Sequence, residues 1–308
     1  MTVHWSDEVE EILDGDHALM LAYATPAKGV VLLPVSNFAV RDRSAGTVTA
    51  VNTSVGAWRK LERIRRNPRV ALVFHTREHA ATDRPEYVLV QGTASLAPPV
   101  EDYPSTIIDN WERFEPWGDL HPLWKRWRRV YALRVAIEVA VERVLVWPDL
   151  GCRAALEVEG ASLRADPPRP QAAPAKGTAP RIDHHRAAKR AARLPHVLLG
   201  WIGADGFPMV AAVGVAGSEA GGIVLDAADG IVPPGGRRAG LTAHSFSRYV
   251  IGQNQRKHTG WLEAGERLVY SPHTQSTYRF PASWTLFQLI SGGFTRLGLR
   301  GARRAGFV

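Results

Sequence analysis

The segment with the clearest chemical content spans residues 52–72 and reads NTSVGAWRKLERIRRNPRVAL. A strand ends and a helix begins here. Thr53 or Ser54 can cap that helix, because a hydroxyl accepts a hydrogen bond from a first-turn backbone N–H. Trp58, with the leucine and isoleucine that follow it, gives the helix an apolar face to bury. The segment therefore predicts a short amphipathic helix after a strand.

Arg59 and Lys60 lie in the first turns of this helix. The helix N-terminus already carries partial positive charge, so each cation there costs about 0.3–1 kcal/mol. A bound anion reverses that cost, and free N–H groups, hydroxyls, a guanidinium and an ammonium together suit a phosphate. A solvated basic helix is the alternative, since Arg63, Arg65, Arg66 and Arg69 follow. The residues alone leave both interpretations open.

The surrounding chain consists of short apolar runs separated by turn residues, which is typical of a β-barrel or sandwich. The predicted strands span residues 18–24, 30–40, 47–52, 70–75, 87–96, 131–135 and 142–147. Helices are predicted over residues 6–14 and 57–66, the second ending at an Asn-Pro stop signal. We expect a mainly β fold with peripheral helices.

The domain organisation follows from a Pro/Ala-rich stretch. Residues 160–181 contain five prolines and few large apolar residues, so we interpret them as an exposed linker between domains 1–159 and 182–308. Strand-like runs return after the linker, and the second half is predicted to be a divergent repeat of the first. A loop at residues 232–236 replaces the helix of the first half, and residues 283–308 begin as a helix and end as a basic tail.

Residues 102–129 are rich in tryptophan and arginine. Trp111, Trp117, Trp124 and Trp127 lie in this segment, which is helical in pattern from about residue 122. The tryptophans indicate either a helix packed on the barrel or a lid over a planar ligand.

The segment 52–72 resembles the pyridoxamine 5′-phosphate oxidase-like split-barrel superfamily. The similarity lies in a small polar pair after a strand, a Gly-bearing turn, Arg59-Lys60, and the run Asn-Pro-Arg-Val at residues 67–70. Three further runs agree with it: residues 31–35, residues 87–92, and residue pair 134–135 with residues 142–147. The resemblance covers about residues 15–150 and implies a split β-barrel, here duplicated in tandem.

The resemblance also implies a flavin-type cofactor, FMN or, as the alternative, a deazaflavin coenzyme; haem is disfavoured. Arg59 and Lys60 would hold the cofactor phosphate with Thr53 and Ser54, while Ser36 and Asn37 would lie along the ring. Tyr87 stands where the oxidase has a ring-contacting glutamine, which argues against oxidation of pyridoxine phosphates. The implied cofactor-binding residues are Ser36, Asn37, Asn52, Thr53, Ser54, Trp58, Arg59, Lys60, Tyr87 and Gln91.

The function that this implies is a flavin-dependent oxidoreductase acting on a small organic substrate, with no catalytic side chain identified. The alternative is a non-catalytic flavin, deazaflavin or haem binding protein of the same fold. Relatives pair two barrels around the cofactor, so we expect a pseudo-dimer within this one chain, or a homodimer. Second-half candidates for the groove are Arg237, Arg238, His244, Arg248, Gln253, Arg256, His258 and Trp261.

Composition narrows the other classes. The chain has 308 residues, 45% hydrophobic, with net charge +8, which suits an acidic ligand. Its single cysteine, Cys152, allows no internal disulfide and indicates a reducing compartment. The acidic N-terminus is no signal peptide, and no apolar run reaches the roughly 20 residues of a membrane span. We expect a cytoplasmic protein without a metal site, nucleic-acid partner or membrane partner.

Overall fold

The computed structural model describes residues 3–248 and 251–307, except for the side chains of residues 52–57. The first half of the chain holds α1 (Asp7–Gly15), β1 (Ala18–Ala24), β2 (Val30–Ser36), β3 (Val40–Asp42), β4 (Thr47–Thr53), α2 (Ser54–Arg66), β5 (Arg69–Phe74), β6 (Tyr87–Leu96), α3 (Tyr103–Thr106), α4 (Ile108–Phe114), α5 (Pro122–Ala132), β7 (Arg134–Trp147) and β8 (Glu157–Gly160). The second half holds α6 (His184–Ala191), β9 (His196–Ile202), β10 (Pro208–Ala212), β11 (Gly214–Glu219), β12 (Gly222–Asp226), β13 (Gly235–Ser245), β14 (Asn254–Ala264), β15 (Leu268–Arg279) and α7 (Trp284–Arg304).

These strands form two antiparallel sheets with the same topology. The first sheet has the order β2-β1-β5-β6-β7-β4-β3, with β8 added beside β7, and the second has the order β10-β9-β13-β14-β15-β12-β11. Each strand of the second sheet thus occupies the position of the strand eight places earlier in the chain. The prediction of a mainly β chain with a tandem repeat is confirmed, and the pattern is consistent with two split barrels.

A β-bulge recurs at the same place in both halves. The ladder between β6 and β7 shifts register between Gln91 and Gly92, and the ladder between β14 and β15 shifts between Thr259 and Gly260. A Cβ at Gly92 would lie 2.2 Å from the Ala140 carbonyl oxygen, and one at Gly260 would lie 2.1 Å from that of Ser271. Both bulges therefore require glycine, since the backbone of the paired strand leaves no room for a side chain.

The two halves pack around an approximate two-fold axis. Leu21 and Leu199 are equivalent, because each lies three residues before the end of the first strand of its half. Leu21 pairs with Leu72 on β5, and Leu199 pairs with Leu241 on β13, so Leu72 and Leu241 are equivalent too. Counting three residues onward makes His75 and His244 equivalent, and their Nε2 atoms lie 2.8 Å apart. A side chain that contacts its own equivalent lies on the axis that relates the halves.

Apolar burial explains why the halves hold together. One core fills the first sheet and a second fills the second sheet, while a third contains buried residues from both, among them Leu32 and Leu198. Alternate residues of β2 turn toward the second half, where the Thr242 hydroxyl donates to the Leu32 carbonyl at 3.1 Å. The contact between the halves is thus a packed interior, and a small polar network adds to it.

Two details differ from the sequence prediction. Residues 131–135 and 142–147 were predicted as separate strands, but α5 continues to Ala132 and one strand, β7, spans Arg134–Trp147. Alternation of valines with Glu138 and Glu142 explains the long strand, since it presents one apolar and one polar face. The C-terminal segment is helical as far as Arg304, so the predicted tail is largely α7.

Residues 161–182 contain no helix or strand, and the segment crosses from one half to the other. The Gln171 backbone N–H donates to the Gly236 carbonyl at 2.8 Å, and its side-chain amide donates to that of Lys28 at 3.0 Å. Among the described residues, no helix is both long and apolar enough to span a bilayer.

Candidate functional site

A cavity of about 250 Å³ lies between the two halves. The first half contributes the end of β2, the middle of α2 and the start of β7, and the second half contributes β14, β15 and α7. The lining residues are Leu33, Pro34, Val35, Ser36, Phe38, Val51, Lys60, Glu115, Tyr131, Arg134, Gln253, Gln255, Lys257, Tyr278, Phe280, Phe287, Ser291, Phe294 and Thr295. A site of this kind exists only when both halves are present.

Lys60 enters the cavity from α2. The neighbouring Leu61 and Ile64 are fully buried in the first core and fix the rotation of the helix, which carries Lys60 inward with them. The lysine side chain is 4% exposed and has no hydrogen-bond partner among the described residues. Burial, and next the positive charges of Lys257 and Arg134, lower the pKa of Lys60 to about 7. The buried ammonium of Lys60 therefore has no negative charge, within the described part of the chain, to stabilise its protonated form.

Arg134 begins β7 and lies at the same end of the cavity. Its guanidinium carbon lies 4.3 Å from the ring centre of Tyr131 and 4.9 Å from that of Trp111. These rings hold the guanidinium in place and exclude water. Its Nε and Nη2 atoms are buried and have no hydrogen-bond partner in the described structure, and burial lowers the pKa of Arg134. These two nitrogens therefore carry N–H bonds without an acceptor in the described structure.

The second half supplies a third cation on β14. Burial lowers the pKa of Lys257 to about 8, and its Nζ lies 3.4 Å from Gln255 Oε1. The Gln255 amide in turn donates to the Pro34 carbonyl of the first half at 3.4 Å. Lys257 and Gln255 thus enter the cavity from the second half.

The one carboxylate in the described lining is already neutralised. Glu115 accepts a hydrogen bond from the Tyr131 hydroxyl at 2.7 Å and forms a buried ion pair with Arg128. Arg128 is itself fully buried, and burial lowers its pKa to about 10. Lys60, Arg134 and Lys257 consequently give the cavity an excess of positive charge, which an anionic ligand would balance.

Aromatic rings form the wall between β15 and α7. The Phe280 ring centre lies 4.9 Å from that of Phe287 and 5.2 Å from that of Tyr278, and Tyr278 is 6.2 Å from Phe294. Phe294 is 47% exposed, so the cavity meets the surface at α7. A cavity lined by both cations and aromatic rings suits a ligand that combines a phosphate with a planar ring.

The structure separates the residues predicted for cofactor binding. Ser36 and Lys60 line the cavity. Arg59 is exposed, with its guanidinium carbon 5.4 Å from the Trp58 ring centre, and Trp58 packs against Gly301 of α7. The side chains of Asn52, Thr53 and Ser54 lie outside the described residues.

Three other predicted residues are fully engaged elsewhere. The Asn37 amide donates to the Leu13 and Asp16 carbonyls at 2.9 and 2.8 Å, which ties β2 to α1. The Tyr87 hydroxyl donates to the Val210 carbonyl at 2.9 Å. Gln91 donates to the Pro208 carbonyl at 2.7 Å and accepts from Arg143. All three are buried, and Tyr87 and Gln91 join the first half to β10.

Sequence reasoning missed Arg134, Gln255 and Lys257. Of the second-half candidates, Gln253 does line the cavity, while His244 lies on the axis and Arg237 donates to the Pro234 and Pro168 carbonyls. In the structure, counting four residues back from each bulge makes Gln255 the equivalent of Tyr87. Tyr87, which was predicted to contact the cofactor, therefore occupies in the first half the position that Gln255, a cavity-lining residue, occupies in the second half.

A metal or haem finds no ligands at this cavity. Among residues 3–248 and 251–307, no group of three His, Cys, Asp or Glu side chains is arranged to hold a metal ion. His75 and His244 share a hydrogen bond and do not line the cavity. Burial lowers the pKa of both well below the ordinary value, so both are neutral.

Comparison with solved structures finds weak similarity over about half of the chain. The conserved hypothetical protein Rv2991 from Mycobacterium tuberculosis is 20% identical, with 49% of this chain and 88% of that chain covered and a TM-score of 0.34. A FAD-binding protein from Mesorhizobium loti is 21% identical (47% and 97% covered, TM-score 0.30), and a putative pyridoxamine 5′-phosphate oxidase from Listeria innocua is 17% identical (46% and 98%, 0.32). No protein-family model and no curated protein matches the chain.

Proposed function

We propose that this chain binds a phosphorylated flavin-type cofactor, FMN or the deazaflavin coenzyme, in the cavity between its halves. The observation that carries the proposal is the convergence of Lys60, Arg134 and Lys257 on one cavity whose only described carboxylate, Glu115, is paired with Arg128. Three partly or fully buried cations without an anion are costly for a folded protein. A phosphate bound between these cations would offset that cost, so the arrangement is that expected of a phosphate-binding site.

The residues present fit such a cofactor. The unpartnered Nε and Nη2 of Arg134 can donate to phosphate oxygens, as can the ammonium groups of Lys60 and Lys257. Phe280 and Phe287 offer apolar faces to a planar ring, while Ser36 and Gln255 offer polar groups to its edge. The resemblance of residues 52–72 to the split-barrel oxidases supports the same ligand.

We further propose that the protein is an oxidoreductase that acts on a small organic substrate. When bound, a flavin-type ring supplies hydride exchange, so the protein need only bind, orient and exclude water. Lys60, with a pKa of about 7 before an anion binds, can hold or release a proton at its Nζ near neutral pH. Arg134, held between two rings, orients the ligand without exchanging a proton.

The volume of the cavity favours a second candidate, a protein that binds the cofactor without turning over a substrate. At about 250 Å³ the cavity is smaller than the roughly 300–1,000 Å³ usual for ligands of this size, so a cofactor would fill it and reach its mouth at Phe294. A second substrate would then have to bind outside, against α7.

Absorbance spectroscopy of the purified protein, before and after addition of FMN or deazaflavin coenzyme, tests both candidates. The proposal expects a bound chromophore or a saturable spectral change with one of the two. A colourless protein with no measurable affinity for either would refute it. Reduction of the bound ring by a panel of reductants and substrates distinguishes the oxidoreductase from the binding protein, because only the former turns over.

A further inference from the structure

The internal symmetry implies two cavities, and the two positions differ sharply. Two equivalent halves related by an approximate two-fold axis should form the same inter-half site twice, once with each half in each role. The cavity at Lys60 is one of them. The ladder registers identify which residues occupy the other.

The inner wall of the cavity aligns directly with apolar residues. Four and two residues before the bulges at Gln91 and Thr259 lie Tyr87 and Leu89 in the first half, and Gln255 and Lys257 in the second. Across each bulge Arg143 pairs with Gln91 and Thr274 with Thr259; four residues farther on are Trp147 and Tyr278. The wall of Gln255, Lys257 and Tyr278 therefore corresponds to Tyr87, Leu89 and Trp147.

These equivalent residues fill the space instead of lining it. Tyr87 and Leu89 are 0% exposed, Trp147 is 4% exposed, and the Tyr87 and Trp147 rings meet edge to face at 5.5 Å. Buried Cys152 packs with them, and so do parts of Leu150, Leu156 and Leu163 from the chain after β7. The inner end of the second position is a hydrophobic core.

The cations are also missing from the second position. Ile137 pairs with Leu96 as Leu268 pairs with Ala264, so Arg134 corresponds to Gly265. The segment equivalent to α2 is the loop 227–234, which has no basic residue and hence no counterpart of Lys60. The hollow at Gly265, about 480 Å³ in volume, is lined by Asp226, Asp229 and Glu266 with one cation, Arg267, which pairs with Glu219. Its charge repels a phosphate.

We propose that the duplicated fold keeps a single anion-accepting cofactor site, with the second half supplying Lys257 and Gln255 to it, and that the equivalent position is sealed at its inner end by Tyr87, Leu89 and Trp147. This inference rests on the proposed function for the identity of the ligand. The sealing itself rests on packing and register alone.

Reciprocal exchange of the two equivalent residues tests the sealing without any ligand. Leu89→Lys places an ammonium in a full hydrophobic core, so the melting temperature should fall by about 10 °C or more. Lys257→Leu removes a cation from an open cavity, so the melting temperature should stay unchanged or rise. If Leu89→Lys does not fold, Tyr87→Gln is the milder exchange, with an expected loss of about 5 °C. Melting temperatures of Leu89→Lys and Tyr87→Gln equal to that of the unaltered protein would overturn the proposal.

Titration with FMN, followed by absorbance and protein concentration, tests the number of sites. One equivalent per chain is expected, with at least tenfold weaker binding in Lys257→Leu. Two equivalents, or one equivalent whose affinity Lys257→Leu does not change, would contradict the single site at Lys257. Absence of any FMN or deazaflavin binding would refute the proposed function, while the melting temperatures would still decide whether the second position is sealed.

Discussion

Replacing Lys60 by methionine should stabilise the empty protein and weaken cofactor binding. Methionine keeps the length of the chain and removes the charge. Burial and two neighbouring cations lower the pKa of Lys60 to about 7 from an ordinary 10.5, which corresponds to about 5 kcal/mol between the protonation states. The unfolded chain binds the proton in this range and the folded chain does not, so the wild-type stability should rise between pH 7 and 10.5.

The size of the effect on stability follows from this depression. At pH 7 most of the cost is present in the wild type, and water in the cavity will reduce the gain on its removal, so we expect Lys60→Met to gain about 2–4 kcal/mol in the free energy of unfolding. The pH dependence between 7 and 10.5 should become flatter. Urea unfolding at pH 7, 8.5 and 10 measures both effects.

The effect on binding has the opposite sign. Loss of a charge-assisted hydrogen bond to phosphate costs about 1.5–3 kcal/mol, so the FMN dissociation constant of Lys60→Met should rise about 10- to 150-fold. Arg59→Met is the matched control, since Arg59 is the adjacent residue but is exposed against Trp58. It should change neither quantity appreciably. A Lys60→Met protein that is less stable and binds FMN as tightly as the wild type would refute the reasoning.

Three further predictions follow from other parts of the molecule. The FMN affinity should fall as pH rises above about 7, because bound phosphate needs Lys60 and then Lys257 (pKa about 8) protonated; calorimetry in buffers of different ionisation enthalpy should detect proton uptake, and a flat profile from pH 7 to 9 would contradict this. The free energy of unfolding should fall as pH drops below about 6.5, by about 1.4 kcal/mol per pH unit for each buried neutral histidine. The cause is burial, which lowers the pKa of His17 and His258 to about 4 and that of His75 and His244 further. A free energy of urea unfolding that stays constant from pH 7 to 5 would exclude this. Gly260→Ala should cost about 1–3 kcal/mol or more by thermal unfolding, because its Cβ meets the Ser271 carbonyl, whereas Gly293→Ala on α7, with nothing within 4 Å, should be neutral or stabilising; equal effects would argue against the bulge.

Local periodicity made much of the fold predictable. The short apolar runs within residues 69–74 and 87–96 predict strands that the sheets contain, and the Asn-Pro pair at residues 67–68 ends α2 as expected. The repeat was visible because each half presents hairpin, strand and glycine-bearing strand in the same order. The single strand β7 was not, because its central glutamates interrupt the apolar run that would have marked it.

The site was only partly predictable, and the reason is geometric. Lys60 stood out because the sequence predicted a helix from residue 57, in which a cation in the first turn is unfavourable without an anion. The helix begins at Ser54, so Lys60 lies in its middle, and burial rather than the helix terminus makes its charge costly. Arg134 has no such local signal, since its role depends on Tyr131 and Trp111 closing around it. Lys257 and Gln255 lie about 200 residues from Lys60 in sequence, and only the pseudo-symmetric pairing of the halves brings them to the same cavity.

The sequence also could not tell which of the two symmetry-equivalent positions between the halves would be an open cavity. Tyr87 and Gln255 occupy equivalent positions, yet one is buried against Val210 and the other lines the cavity. What distinguishes them is the helix α2 beside one position and a short loop beside the other. The sequence already showed a loop in place of the helix, but which position each one lies beside appears only when the two sheets are superimposed through their registers.

Comparison of FMN with riboflavin tests the central claim most directly, because the two ligands share the ring and differ by the phosphate. Isothermal titration calorimetry at pH 7 should give FMN an affinity at least 100-fold above that of riboflavin, because the three cations bind the phosphate, which riboflavin lacks, and not the ring. Equal affinities, or a preference for riboflavin, would contradict the assignment of Lys60, Arg134 and Lys257 to phosphate binding.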